Sequence, residues 1–268
     1  MKKRAIKILS HVFVLSALAL FSCSKTETSL PVEVKPPVKD TPVVVPPPPP
    51  KDTVKSQTPG ITAVKLDNQS GTIKNYQLFI PADYNNKKDT KWPVVFFLHG
   101  VGERGTDINQ VKNVGIMKVA SGKPFLIIAP QCPSDEWWNL KSLEILYKEV
   151  MAKYNVDVNR VYLTGLSMGG FGVWDWSAAY PEKFAATIPI CGGGNASYAT
   201  KLKDMPIWDF HCADDPTVNV SNSRDMVKAL KAVGSKILYT EYPTGGHDAW
   251  TRTYANAEVY TWLLQQHK

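Results

Sequence analysis

One stretch limits what this chain can fold into more than any other: "RVYLTGLSMGGFGVWDWSAAYPEKF", residues 160–184. An apolar run of strand character stops at Gly165, and apolar residues at helical spacing resume at Met168 with no loop between them. The junction reads Gly165-Leu166-Ser167-Met168-Gly169, a fit to G-x-S-x-G. Glycines at such a turn let backbones pass closely, while the serine takes a strained conformation that lifts its hydroxyl above the sheet edge. The N–H of Met168, at the helix start, then faces the place where a negative oxygen would develop. Ser167 is therefore the candidate nucleophile and Met168 a candidate oxyanion donor.

Apolar runs alternate with helical stretches on both sides of this junction. The runs cover 93–100, 124–130, 160–165, 184–190, 206–211 and 236–242, preceded by amphipathic strands at 61–66 and 73–80 joined by "DNQSG". Helical spacing covers 140–154, 168–180, 220–233 and 256–267. Continuous apolar strands separated by helices predict an α/β domain: a mostly parallel sheet flanked by helices on both faces. The site of such a sheet lies at the carboxyl ends of its strands.

A serine hydroxyl at its ordinary pKa is a poor nucleophile, so a base and an orienting acid are required. In the order Ser, Asp or Glu, His, three histidines follow Ser167. His267 is the penultimate residue and reads as a solvated end. His211 closes a strand in "WDFHCADDP" and reads as a packed strand-end histidine. His247 lies in "YPTGGHDAW", a glycine-flexible loop after the last strand, where the general base belongs. For the acid, Asp214 and Asp215 both sit in the loop after the penultimate strand, and spacing does not choose between them.

The beginning of the chain is of another kind. Residues 1–22, "MKKRAIKILSHVFVLSALALFS", have a basic start and a short apolar core, the pattern of an export signal. The run ends in "LFSC", which resembles the lipobox of bacterial lipoproteins, with Cys23 as the lipidated residue. Ser24 after it implies the outer membrane, so the expectation is an exported bacterial lipoprotein joined to that membrane by an N-terminal lipid anchor. Residues 23–59 are dense in proline and have no glycine. Over residues 30–59 that composition favours an extended tether of up to about 90 Å. Residues 60–268 remain for one catalytic domain, expected to be a monomer. The formal charge of +7 is concentrated in the signal, and no basic stripe supports nucleic-acid binding.

The segments "LHGVGERG", "APQCPSDEWW", "NRVYLTGLSMGGFGVWD", "YPEKFAATIPICGGG" and "GGHDAW" together resemble one group of α/β hydrolases. That group is the predicted-peptidase or phospholipase/carboxylesterase-like one, close to the feruloyl and acetyl-xylan esterases of carbohydrate esterase family 1. The resemblance implies an α/β-hydrolase fold. Its pattern His-Gly-x-x-Asp-x-x-Val implies Asp215 as the acid, although Cys212 stands where glycine is usual, and Asp214 stays in reserve. It also implies that the turn after His99 supplies the second oxyanion donor, Val101 or else a neighbouring glycine, with His99 packing beneath. Glu103 and Arg104 either meet substrate or pin that loop as an internal ion pair.

Trp137 and Trp138 follow the "QCP" loop on the side of the site, where an aromatic face can stack on a sugar or a phenolic acyl group. At least one of them is expected to pack as core, as are Trp174, Trp176 and Trp262. Cys191 and Cys212 fall just past the ends of neighbouring strands and form the candidate disulfide of an oxidising compartment. No Cys/His spacing suggests a metal site, and no cofactor is expected. Only 15 residues separate Ile190 from Pro206, too few for a cap domain. An open groove suits acetyl or feruloyl esters on plant polysaccharide. The rival readings are a serine peptidase, a small-ester or lysophospholipid carboxylesterase, and a carbohydrate-binding lipoprotein without turnover.

Overall fold

The computed structural model describes residues 56–87 and 89–268. The export signal, Cys23 and the linker up to residue 55 lie outside the described residues.

In chain order the elements are β1 (Gly60–Lys65), β2 (Asn75–Ile80), β3 (Trp92–Leu98), β4 (Leu126–Pro130), α1 (Leu140–Lys153), β5 (Val156–Leu166), α2 (Met168–Ala179), β6 (Ala186–Ile190), β7 (Trp208–Cys212), α3 (Ser221–Ala232), β8 (Leu238–Tyr242), α4 (Trp250–Ala255) and α5 (Ala257–Gln265). The strands form one eight-stranded sheet in the order β1-β2-β4-β3-β5-β6-β7-β8. β1 pairs antiparallel with β2, and β2 with β4; every pairing from β4 to β8 is parallel. This is the α/β-hydrolase architecture.

Strand β3 shows how the sheet builds a core on both faces. Successive strand residues point to opposite sides. Val94, Phe96 and Leu98 join one cluster with Tyr147 of α1, Trp174 and Trp176 of α2 and Leu230 of α3. Val95 and Phe97 join a second with Tyr254 of α4 and Tyr260 and Leu263 of α5. Both sets of β3 side chains are fully buried, which is why the strand reads as an unbroken apolar run. Helix α2 is buried along nearly its whole length, so it lacks the polar stripe of a surface helix.

The elements depart from expectation in three places. Strand β5 starts at Val156, four residues before the predicted run, because Val156 pairs with Trp92 across β3 despite Asp157 and Asn159. Helix α4 was not anticipated: its six residues are too few for periodicity, and it starts where Asp248 accepts from the Thr251 N–H at 2.9 Å. Two 3₁₀ segments, Ile108–Asn113 and Gly115–Val119, fill the β3–β4 connection and bury Val111, Ile116 and Met117. Between β6 and β7 there is only a three-residue 3₁₀ turn, Ala196–Tyr198.

Candidate active site

Ser167 stands between β5 and α2 with φ 53° and ψ −119°. A non-glycine residue at positive φ is strained, and two features hold it there. Its N–H donates to the Ile190 carbonyl at 2.9 Å, and its carbonyl accepts from the Phe171 N–H at 3.1 Å. The close approach that glycine permits is severe at Gly169: a Cβ there would lie 1.9 Å from the Leu98 oxygen of β3. The strand-to-helix turn thus holds Ser167 at the carboxyl edge of the sheet, with the hydroxyl in reach of the loop after β8.

That loop delivers His247. Its Nε2 lies 2.8 Å from Ser167 Oγ, and its Nδ1 lies 2.7 Å from Asp215 Oδ2. Asp215 Oδ1 accepts from the N–H groups of Thr217 at 2.8 Å and Val218 at 2.9 Å. Burial pushes the Asp215 pKa up, but the hydrogen bonds from His247 and the two N–H groups outweigh it and hold the carboxyl below the usual range. With Asp215 ionised, Nδ1 of His247 carries the proton and Nε2 is free to accept from the serine.

The two aspartates divide the work. Asp214 accepts from the N–H groups of Gly245 at 3.2 Å and Gly246 at 2.9 Å, so it secures the backbone of the histidine loop while Asp215 meets the ring. The His247 ring stands edge-on to Trp250 at 5.4 Å.

Gly100 abuts Ser167, since a Cβ on it would come 3.6 Å from the serine Cβ. The following residues, Val101–Glu103, form a 3₁₀ turn at the rim, with Val101 exposed. Met168 opens α2, where the first N–H groups have no intrahelical acceptor. His99 is fully buried: Nε2 accepts from the Cys132 N–H at 3.0 Å and Nδ1 donates to the Gly100 carbonyl at 2.6 Å. Burial lowers its pKa to about 4, against the pull of the Gly100 carbonyl, so the ring is neutral. Glu103 faces His99 at 3.8 Å instead of Arg104, and burial raises its pKa. Arg104 instead donates to the carbonyls of Val101 at 3.4 Å and Glu136 at 3.2 Å.

The tryptophan pair splits. Trp137 is 59 % exposed, its ring edge-on to Phe171 at 5.9 Å. Trp138, the other candidate substrate contact, is buried beneath the loop, where its Nε1–H donates to the His99 carbonyl at 3.3 Å. Trp174 and Trp176 are fully buried, and Trp262 packs on Trp208 at 5.5 Å.

The candidate disulfide is not formed: Cys132, Cys191 and Cys212 are all free thiols. Cys191 leaves β6 at φ 40° and its Sγ turns to the His247 carbonyl at 3.8 Å. The Cys212 sulfur faces the bend at Gly245, where a Cβ would lie 2.8 Å from it. Cys191 and Cys212 thus both face the histidine loop, while Cys132 Sγ donates to the Glu136 carbonyl at 3.4 Å. Cys191, Asp215 and His247 bring three potential ligand atoms within 4.8 Å of one another. Asp215 and His247 already bind each other there, and burial keeps the Cys191 thiol protonated, so the set does not fit a metal.

Residues 138–263 match the family described as Phospholipase/Carboxylesterase (Abhydrolase_2). A bifunctional acetylxylan esterase/xylanase of Neocallimastix patriciarum is 29 % identical over 190 residues, 63 % of this chain and 26 % of that protein. Feruloyl esterase B of Neurospora crassa is 30 % identical over 136 residues, 45 % of this chain and 46 % of that protein. The chain thus spans about a quarter to a half of the length of these curated relatives. Among solved structures, a thermostable esterase is 38 % identical at a TM-score of 0.69, covering 78 % of this chain and 63 % of that one. A ferulic acid esterase, 19 % identical at a TM-score of 0.57 over 76 % of this chain and 96 % of that one, shares the fold. The match to that family thus spans residues 138–263, just under half of the chain, and the described domain has the α/β-hydrolase fold of the thermostable esterase.

Proposed function

We propose that this chain is a serine esterase that removes acetyl or feruloyl groups from plant polysaccharide. The observation that carries the chemistry is the unbroken hydrogen-bonded chain Ser167–His247–Asp215 at a strained strand-to-helix turn. The likeness to proteins named as acetylxylan and feruloyl esterases supports the substrate class. The short β6–β7 connection supports an open groove that admits a bulky polymer.

In this mechanism, Ser167 Oγ bonds to the ester carbonyl carbon as its proton passes to His247 Nε2. Asp215 holds the imidazolium through Nδ1–H. The N–H groups of Met168 and Val101 receive the oxyanion, and one such donor contributes about 3 kcal/mol to the barrier reduction. Collapse breaks the ester C–O bond, and His247 returns the proton to the leaving sugar oxygen. Water, deprotonated by the same histidine, then releases the acid from the acyl-serine. Trp137 and Glu103 would line the substrate path. Cys23 would carry the lipid, residues 23–59 would hold the monomeric domain away from an outer membrane, and loss of acyl-chain labelling in Cys23→Ala tests that anchor.

The deciding assay is acetate and ferulate release from acetylated and feruloylated xylan by the full chain, with Ser167→Ala beside it. Release of either acid that vanishes in the variant is expected. If p-nitrophenyl acetate is hydrolysed through Ser167 while xylan yields neither acid, the polymer substrate is wrong and the esterase chemistry stands.

A further inference from the structure

We propose that His211 is a positioning residue for the triad: it straps the Asp215 carboxylate to the central sheet, with Ser223 setting which of its nitrogens carries the proton. The proposal rests on the reading of Asp215 as the triad acid.

Asp215 lies in the loop after β7, and a loop carboxylate is only as well placed as its supports. Oδ1 is held by the N–H groups of Thr217 and Val218 of its own loop. Oδ2 accepts from His247 Nδ1–H at 2.7 Å, and His211 Nε2 lies 3.3 Å from the same oxygen while its hydrogen bond goes to the Val218 carbonyl at 2.9 Å. His211 belongs to β7, between β6 and β8, and is fully buried. Through the Val218 carbonyl and this close approach it ties the side-chain end of the acid's loop to a rigid element, while the Asp215 N–H donates to the Cys212 carbonyl at 3.3 Å.

Its proton can be assigned. Nε2 lies 2.9 Å from the Val218 carbonyl, which can only accept, so Nε2 carries hydrogen and faces two oxygens. Nδ1 then offers a lone pair, and Ser223 Oγ, 2.8 Å away on α3, donates to it. Burial pushes the His211 pKa down and keeps the ring neutral. A neutral donor orients Asp215 without placing a second cation beside the imidazolium that forms on His247.

Asp209, two residues earlier on the same face of β7, fits this order. It is fully buried, and burial raises its pKa to about 7 against the pull of Ser223 and the Phe210 N–H. Neither forms a well-made hydrogen bond to it. With no hydrogen bond between Ser223 and Asp209, the Ser223 proton is directed to His211.

A merely packed histidine would affect stability alone, so the test separates the two roles. Steady-state kinetics on an ester substrate and thermal melts are measured for the full chain and for His211→Phe, His211→Gln and Ser223→Ala. Asp215→Asn, alone and combined with His211→Phe, completes the set. His211→Phe is expected to lower kcat by roughly 10²-fold, the loss that accompanies a misplaced catalytic group, with KM almost unchanged. His211→Gln, whose amide N–H reaches toward the same oxygens, should recover most of it, and Ser223→Ala should cost several-fold. In the Asp215→Asn background, His211→Phe should remove nothing further. A kcat within about twofold of wild type in folded His211→Phe overturns the proposal, as does a loss of equal size with Asp215→Asn present. Should His211→Phe fail to fold, an unchanged kcat in Ser223→Ala overturns it. Undiminished turnover in Ser167→Ala would instead remove the triad reading on which the proposal stands.

Discussion

Replacing Gly169 by alanine tests the link between the glycines of the elbow and the position of the nucleophile. Alanine is the better helix former by about 1 kcal/mol, so local propensity favours the change. Packing opposes it, because the new Cβ would meet the Leu98 oxygen at 1.9 Å, the Leu98 carbon at 2.5 Å and the His99 oxygen at 2.8 Å. Leu98 pairs with Gly165 of β5 in the middle of the sheet, so the obstructing atoms cannot move alone. Relief requires the first turn of α2 to retreat by roughly 1 Å, a strain costing about 3 kcal/mol. The net loss is about 2 kcal/mol, or about 4–8 °C in Tm for a domain of this size. The retreat carries Ser167 and the Met168 N–H with it, and kcat should fall by about 10²-fold. The assay is a thermal melt with p-nitrophenyl acetate kinetics. Gly102→Ala, which meets nothing within 4 Å, serves as the stability control. A Gly169→Ala protein that melts with wild type and turns over at full rate would show that close helix–strand approach does not set this site.

Other consequences follow from buried charge and exposed aromatic surface. Asp209, raised to about 7 from an unfolded value of about 3.9, contributes stability that is fully present below the unfolded pKa and lost as pH rises through the folded one. Asp209→Asn lacks that loss, so its stability relative to wild type should improve from pH 4 to pH 8 by up to about 4 kcal/mol; a difference that stays constant in urea titrations at the two pH values rules this out. Lys183, almost fully buried, pairs with Glu144 at 2.7 Å, and Lys183→Met should cost about 3–5 kcal/mol by removing the paired cation from that carboxylate, which keeps the Trp176 Nε1–H at 2.8 Å. Adding Glu144→Leu should restore most of it, and equal instability of both variants in denaturant melts would refute the pairing argument. Trp137→Ala should raise KM for a feruloylated oligosaccharide by about tenfold at unchanged kcat, the scale of one aromatic contact; an unchanged KM would place the polymer elsewhere.

The sheet was legible because its central strands are buried on both faces, so Phe96 and Phe97 read as one apolar run although they serve different cores. What escaped the sequence was set by partners far along the chain. The start of β5 depends on Trp92, and the two 3₁₀ segments after β3 bury three side chains without any regular period. The supposed disulfide failed for a related reason. Adjacent strand ends bring Cys191 and Cys212 near each other in order, but thiol direction follows backbone conformation, and the positive φ of Cys191 turns its sulfur to the histidine loop.

The site divides along the same line. Ser167 and His247 are legible because each sits in a local pattern, a strand-to-helix turn and a glycine-flanked loop, whose geometry the neighbouring residues dictate. The choice between Asp214 and Asp215 is not local. Both carboxylates engage the His247 loop, one through the N–H groups of Gly245 and Gly246 and the other through the ring, and only the fold assigns which does which. His211 is legible only as the first member of the His-Gly-x-x-Asp-x-x-Val pattern, which does not name its partner on α3. On the strand it is one more buried residue, and its significance arises from Ser223 on α3 and Val218 and Asp215 beyond the strand end. A buried polar group costs stability unless its bonds are made, so a fully buried histidine implies specific partners even where the sequence does not name them. Those partners, once placed, make His211 part of the frame around the Asp215 carboxylate.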